Sequence, residues 1–318
     1  MRNITFLLTT CLFYFTTCQQ IDQFTYKQSM ISSGNNYPDF NFSQNHLDRL
    51  IVSLQNKTSK DVFIKKYNWT SDDYNKSVDF LMTKGFVKKI DDLLVPTCMV
   101  ISKVNGEELF KSATPISGLI ADSIISIFPY LKEKYLTTHL SKNVPFDSIS
   151  FFILSNVLLD NWQINNIESS YIKTERPLRH GKNYYYAFLE GTDENTDPFG
   201  IYGNMRFDRF SVYGNNQRKV NVFKVSQNLK SIPLIDSFDN RVFEEFADKF
   251  KGRLISILTK NNDYAIETYN KSGYSKEVNF QEFFIWWYHF LYTETTNIIH
   301  KKGLINIPTH GNFFYRIE

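Results

Sequence analysis

The spacing of hydrophobic positions alternates along the chain between a helical period and a strand period. Leu47, Leu50, Ile51 and Leu54 recur at three and four residues, which predicts a helix from about 43 to 55 with one apolar face. A short helix over 59–67 follows, with Val62 and Phe63 inward. Thr70 or Ser71 can accept hydrogen bonds from the unpaired amides that open a third helix. Asp72 and Asp73 fall in its first turn, where the positive end of the helix dipole favours them. Tyr74, Val78, Leu81 and Met82 form its apolar face, and Lys84-Gly85 stops it. Residues 86–90 and 93–101 then read as a hairpin around Asp91-Asp92.

Gly106–Ser112 reads as a turn-rich connection. Residues 115–140 predict a long helix carrying Leu119, Ile120, Ile124, Ile127, Phe128, Leu131 and Leu136. Pro129 is expected to kink or split it, because proline has no N–H to donate and its ring strikes the carbonyl one turn back. Residues 146–167 are apolar on nearly every side, the mark of a buried helix. Asp160, beside Trp162, is their charged exception and reads first as a helix-end or partly exposed acid, second as a site carboxylate. Over 183–226 the period drops to two. Residues 184–189, 201–207, 209–213 and 220–225 predict a small antiparallel sheet. The helical period returns at 237–260 and 279–302, and Gly303 ends the last helix before short strands at 304–307 and 312–316.

The expected fold class is α+β. Residues 1–18 are set apart as a signal, 19–40 as a polar linker, 41–104 as a three-helix-and-hairpin module, and 105–318 as an α+β domain.

The first twenty residues bear on the compartment. Arg2 precedes an apolar run from Ile4 to Phe15, too short to span a bilayer, and Phe15-Thr16-Thr17-Cys18 closes it. This tetrad resembles the lipobox of bacterial lipoproteins, in which the cysteine becomes the lipidated N-terminus. Phe15 and Thr17 depart from the usual Leu and small residue. The resemblance implies lipidation at Cys18, a membrane partner reached through the lipid, and a place in the cell envelope. Plain secretion after cleavage at Cys18 and an uncleaved apolar helix are the alternatives.

Three helices followed by a hairpin, with Leu81-Met82-Thr83-Lys84-Gly85-Phe86-Val87 at the exit of the third, resembles a winged helix over about 43–101. That resemblance implies a DNA-binding or protein-contact module. Asp72, Asp73 and Asp79 on the would-be reading helix would face phosphates, so nucleic acid is disfavoured as a partner, although Lys65, Lys66, Lys88 and Lys89 lie near.

Composition changes the picture in two ways. The formal net charge of +3 falls to +2 without Arg2, which carries no strong bias toward nucleic acid. Of the three cysteines, Cys11 leaves with the signal and Cys18 stands at its end, so Cys98 has no structural partner and a disulfide scaffold is excluded. Sequons at Asn41, Asn56, Asn68, Asn75 and Asn270 would matter only in a eukaryotic secretory pathway.

Candidate chemistry is sparse. The chain has no phosphate-binding glycine loop, Cys-x-x-Cys pair, His-Glu-x-x-His helix or Gly-x-Ser-x-Gly elbow. Arg176, Arg179 and His180 form a basic loop that could grip an anion. Asp193, Glu194 and Asp197 form an acidic loop without a full calcium-ligand pattern. His289, between Tyr288 and Phe290, reads as an aromatic-packed histidine. No cofactor and no metal are expected. The sequence supports a binding or interaction protein of the envelope, with an unknown protein or ligand as partner. A cytoplasmic winged-helix DNA-binding protein and a hydrolase built on scattered carboxylates stand behind it.

Overall fold

The computed structural model describes residues 25–191 and 200–318. The signal, Cys18 and the acidic loop at Asp193, Glu194 and Asp197 lie outside the described residues. The fold is α+β. Two compact units share the chain: Met1–Lys103, Glu175–Asp197 and Gly273–Glu282 form one, and Val104–Thr174, Pro198–Ser272 and Phe283–Glu318 form the other.

In the first unit, α1 (Leu47–Gln55), α2 (Lys60–Tyr67) and α3 (Ser71–Thr83) follow in order. Ser59 caps α2 by accepting from Val62 N. A capping box opens α3: Thr70 Oγ1 accepts from Asp73 N at 3.1 Å, and Asp73 Oδ2 accepts from Thr70 N at 2.8 Å. Gly85, at φ +76°, lets the chain leave α3 through the left-handed region. The hairpin β2 (Val87–Ile90) and β3 (Leu93–Pro96) comes next. β4 (Met99–Ile101) then leaves the hairpin and pairs parallel with β7 (Tyr185–Glu190).

The other neighbour of β7 is β1 (Tyr26–Ile31), which pairs with it antiparallel. Part of the expected linker is therefore an edge strand. Its residues are mostly half-buried, so the clean alternation that signals a strand is missing. β7 is buried at all six positions, which suits a central strand with an almost continuous apolar run. Phe42, Phe86, Tyr186 and Phe188 meet edge-on or tilted around it and fill the core with α1 and α3.

In the second unit, α4 (Lys103–Tyr135) runs unbroken through both Pro115 and Pro129. Leu109, Ala113, Ile116, Ile120, Ile124, Ile127, Leu131 and Tyr135 make one buried stripe across both prolines. Burial of that stripe outweighs the local cost of about 3 kcal/mol per interior proline. Among the described residues, α4 is long and apolar enough to cross a bilayer by length and composition, and the same stripe is that of a core helix.

The helix expected over 146–167 is divided. α5 (Phe146–Phe151) passes into a π turn over Phe152–Val157, and the chain resumes as α6 (Ile164–Ile167) with a second π turn over Glu168–Ile172. The expected sheet over 183–226 is divided too. β8 (Tyr202–Arg206) and β9 (Ser211–Asn215) join β10 (Leu234–Ile235) and β11 (Asn312–Ile317) in the order β10-β11-β9-β8, while β7 belongs to the first unit.

Residues 220–225, expected as a strand, enter α7 (Val222–Gln227), because Asn221 Oδ1 accepts from Lys224 N at 3.0 Å and caps a helical turn. Residues 304–307 are not a strand. α8 (Ser237–Lys260), α9 (Asn262–Lys271) and α10 (Phe280–Lys301) complete the chain, and Phe280–Glu282 of α10 belong to the first unit.

Candidate functional site

The most unusual group of side chains gathers around Asp160 in the second unit. A π turn holds an extra residue per turn and changes which side chains face inward, and such turns recur at functional sites. Here Ser155, Asn156 and Asp160 all come to be buried in an otherwise apolar stretch. Asp160 ends the helix, and its carbonyl accepts from Gln163 N and Ile164 N, which turns the chain toward α6. It is a helix-end acid, as one reading of the sequence has it, but only 5 % exposed.

Asn204 on β8 organises the group. Its Nδ2 donates to Asp160 Oδ2 at 2.8 Å and to Asn156 Oδ1 at 2.7 Å. Its Oδ1 accepts from Tyr315 OH on β11 at 2.7 Å and from Asn156 Nδ2 at 3.1 Å. Alongside, Ser155 Oγ bonds Tyr213 OH and Thr296 Oγ1. Tyr288 OH donates to the carbonyl of Leu159 at 2.6 Å.

Burial raises the Asp160 carboxyl from 3.8 to about 7, against the pull of Asn204, Tyr292 and the positive charge of Arg206. The hydroxyl proton of Tyr292 goes to the carbonyl of Tyr202 at 2.5 Å. A buried acid that changes charge near neutrality can exchange a proton or recognise a polar group.

A second cluster lies in the first unit. Arg179 and Glu282 are 2 % and 3 % exposed at their side chains. Arg179 Nη2 meets both Glu282 oxygens at 2.8 and 2.9 Å and the Thr97 carbonyl at 2.5 Å, and Nη1 reaches the Tyr184 carbonyl at 2.7 Å. The guanidinium also lies over the rings of Phe86 and Tyr184. Burial pushes Glu282 up, and the charge of Arg179 draws it back.

The structure therefore separates the three residues of the expected anion grip. Arg179 is committed inside, Arg176 lies over the Tyr185 ring, and His180 is exposed. His180 and Gly181, at φ +47° and +79°, make the tight turn between β5 (Leu178–Arg179) and β6 (Lys182–Asn183). An inward Arg next to an exposed His is the ordinary alternation of a strand end, which a basic run in sequence does not reveal.

A third cluster joins His139, Asp236 and Asp239, whose ligand atoms lie within 4.8 Å of one another. The set has the donor types for a small cation. Its groups also close the N-terminus of α8. Asp236 Oδ1 accepts from Phe238 N and Asp239 N, and Asp239 Oδ1 accepts from His139 N at 2.7 Å. His139 Nδ1 lies 2.7 Å from Asp236 Oδ2. The backbone bond from Asp239 and the contact with His139 hold Asp236 below its usual range. The partners stand 97 and 100 residues apart, so no spacing rule could have found them.

His289 is buried between Trp286 and Tyr292, and burial lowers it to about 4. The five sequon asparagines are all exposed.

No protein family, curated protein or solved structure gives a match to this chain.

Proposed function

We propose that the chain is an exported envelope protein, held at the membrane through lipidated Cys18, and that it acts as a binding or interaction module for a protein or small ligand. The N-terminal pattern supports the location: one cation, a short apolar run, and Phe15-Thr16-Thr17-Cys18. One structural observation supports the role. The buried or capping charged groups bond backbone groups, a side-chain amide or one another, as Asp236 at the start of α8, Asp160 with Asn204, and Arg179 with Glu282 do. Groups held this way build a rigid scaffold, and a scaffold presents surfaces.

Fractionation of the native host tests the location. The protein is expected in the membrane fraction, with a lipid mass on Cys18, and Cys18→Ala is expected to release it. Unchanged membrane recovery of that variant refutes the anchor. A second reading draws support from the order of α1, α2, α3 and the β2–β3 hairpin: a winged-helix-like module that binds DNA in the cytoplasm. It requires salt-sensitive DNA binding that falls when Lys65, Lys66, Lys88 and Lys89 are neutralised. Asp72 and Asp79 on α3 are exposed and oppose it.

A further inference from the structure

We infer that the surface formed by residues 209–235 docks on an anionic phospholipid surface, with Phe223 and Val222 entering the headgroup region and Lys219, Lys224 and Lys230 facing lipid phosphates. Between Asp208 and Asp236 the chain carries Arg209, Arg218, Lys219, Lys224 and Lys230 and no acid. Arg209 and the three lysines are exposed. In their midst, on α7, Phe223 is 75 % exposed and Val222 41 %.

The segment is fixed from its inner side. Val220, Val225 and Leu229 pack in one apolar cluster with Val212 of β9 and with Phe210 and Ile232, which lie just outside the strands. The inner apolar residues are thus satisfied, and Phe223 stays outside. A single exposed apolar residue is ordinary on a protein surface. One large ring set among exposed cations, in a stretch free of acids, is the pattern of an interfacial membrane contact. Lipid phosphates meet the lysines, and the hydrocarbon boundary beneath them takes the ring, so one occupant satisfies both features. Among the described residues, Asp208 and Asp236 bracket the segment in sequence, and Glu318 reaches it through its amide, which bonds the carbonyl of Ile235.

Lipidation of Cys18 is not needed for this contact. The test uses the full chain carrying Cys18→Ala, which removes the lipid, and reads hydrogen–deuterium exchange over residues 217–231, so that the signal comes from the patch itself. With vesicles of equal parts phosphatidylglycerol and phosphatidylcholine, exchange there is expected to slow by about tenfold, and with pure phosphatidylcholine to stay unchanged. The triple variant Lys219→Gln, Lys224→Gln, Lys230→Gln is expected to lose the protection, since each lysine adds roughly fivefold to attraction toward an anionic surface. The double variant Val222→Ser, Phe223→Ser is expected to lose it as well.

All these side chains are exposed, so the variants should keep their fold, which circular dichroism checks. Lys65→Gln with Lys66→Gln, in the first unit, is expected to change nothing. Equal protection on neutral vesicles overturns the proposal, as does loss of protection in the Lys65/Lys66 control or protection that survives in either patch variant. Protection by a polyribonucleotide with none by vesicles overturns it in favour of a nucleic-acid partner.

Discussion

Replacing Asp160 by Asn should make the protein more stable at alkaline pH while leaving it almost unchanged in acid. The unfolded carboxyl ionises near 3.8, and the folded one at about 7. Between those values the folded state holds a proton that the unfolded state has lost. Unfolding then releases a proton, and stability falls by about 1.4 kcal/mol for each pH unit of rise. The stabilisation is full below about pH 4 and gone above about pH 7. Over the whole span it amounts to about 4 kcal/mol. Asparagine copies the protonated acid. Its carbonyl can accept from Asn204 Nδ2 as the acid does, and it carries no charge to bury.

The expected result is a wild-type minus variant difference near zero at pH 4 and about 4 kcal/mol in favour of the variant at pH 8. His289 acts in the opposite direction over the same window. Its folded value of about 4 means that the unfolded state takes up a proton first as pH falls below 6.5, so stability rises with pH. Only the difference between the two proteins isolates Asp160. Urea unfolding followed by tryptophan fluorescence is suited to the measurement, because Trp162, Trp286 and Trp287 all lie in the second unit. Parallel stability curves from pH 4 to pH 8 would refute the reasoning, as would a variant that is weaker at pH 8.

Three further outcomes follow from the first unit. Glu282→Gln should cost about 3 kcal/mol, because it leaves the buried Arg179 guanidinium without its counter-charge, and a urea midpoint close to wild type would contradict this. Thr70→Ala should cost about 1 kcal/mol by opening the capping box of α3, measurable in the same way. The Cys98 thiol is buried and its pKa pushed well up by that burial, so a thiol reagent should leave it unmodified until the unit unfolds. Peptide-level mass spectrometry checks this, and rapid labelling of native protein would count against it.

What the sequence showed depended on whether the signal was local. The caps and stops of α3, the whole of α8 and most of α10 are written in neighbouring residues: Thr70 with Asp73, Asp236 before α8, Gly303 after α10. Features set by distant partners were hidden. β1 looks like a linker because a half-buried edge strand needs no clean alternation, and only β7 makes it a strand. Pro115 and Pro129 argue locally for a break in α4, while the buried stripe that overrules them is a property of the packed unit. The same holds for chemistry. Asp160 was visible as an odd charge in an apolar run, but Asn204 and Tyr292, which give it meaning, lie 44 and 132 positions away and carry no motif.

The Asp160 group also shows why a fold of this kind would keep a buried acid. Apolar side chains in place of the whole group could fill the space at no net loss, because a buried polar network contributes less than its hydrogen bonds suggest. A hydrophobic contact is tolerant of direction, however, and Asn204 is not. Its amide and carbonyl face Asp160, Asn156 and Tyr315 at once. That arrangement exists in one register of β8 against β9, the one that pairs Asn204 with Tyr213. A shift of one residue would turn the amide to the other face and take it from Asp160, Asn156 and Tyr315 together. The π turn brings Asn156 and Asp160 to the same amide. Its irregularity is the local condition for a polar lock between a helix and a sheet.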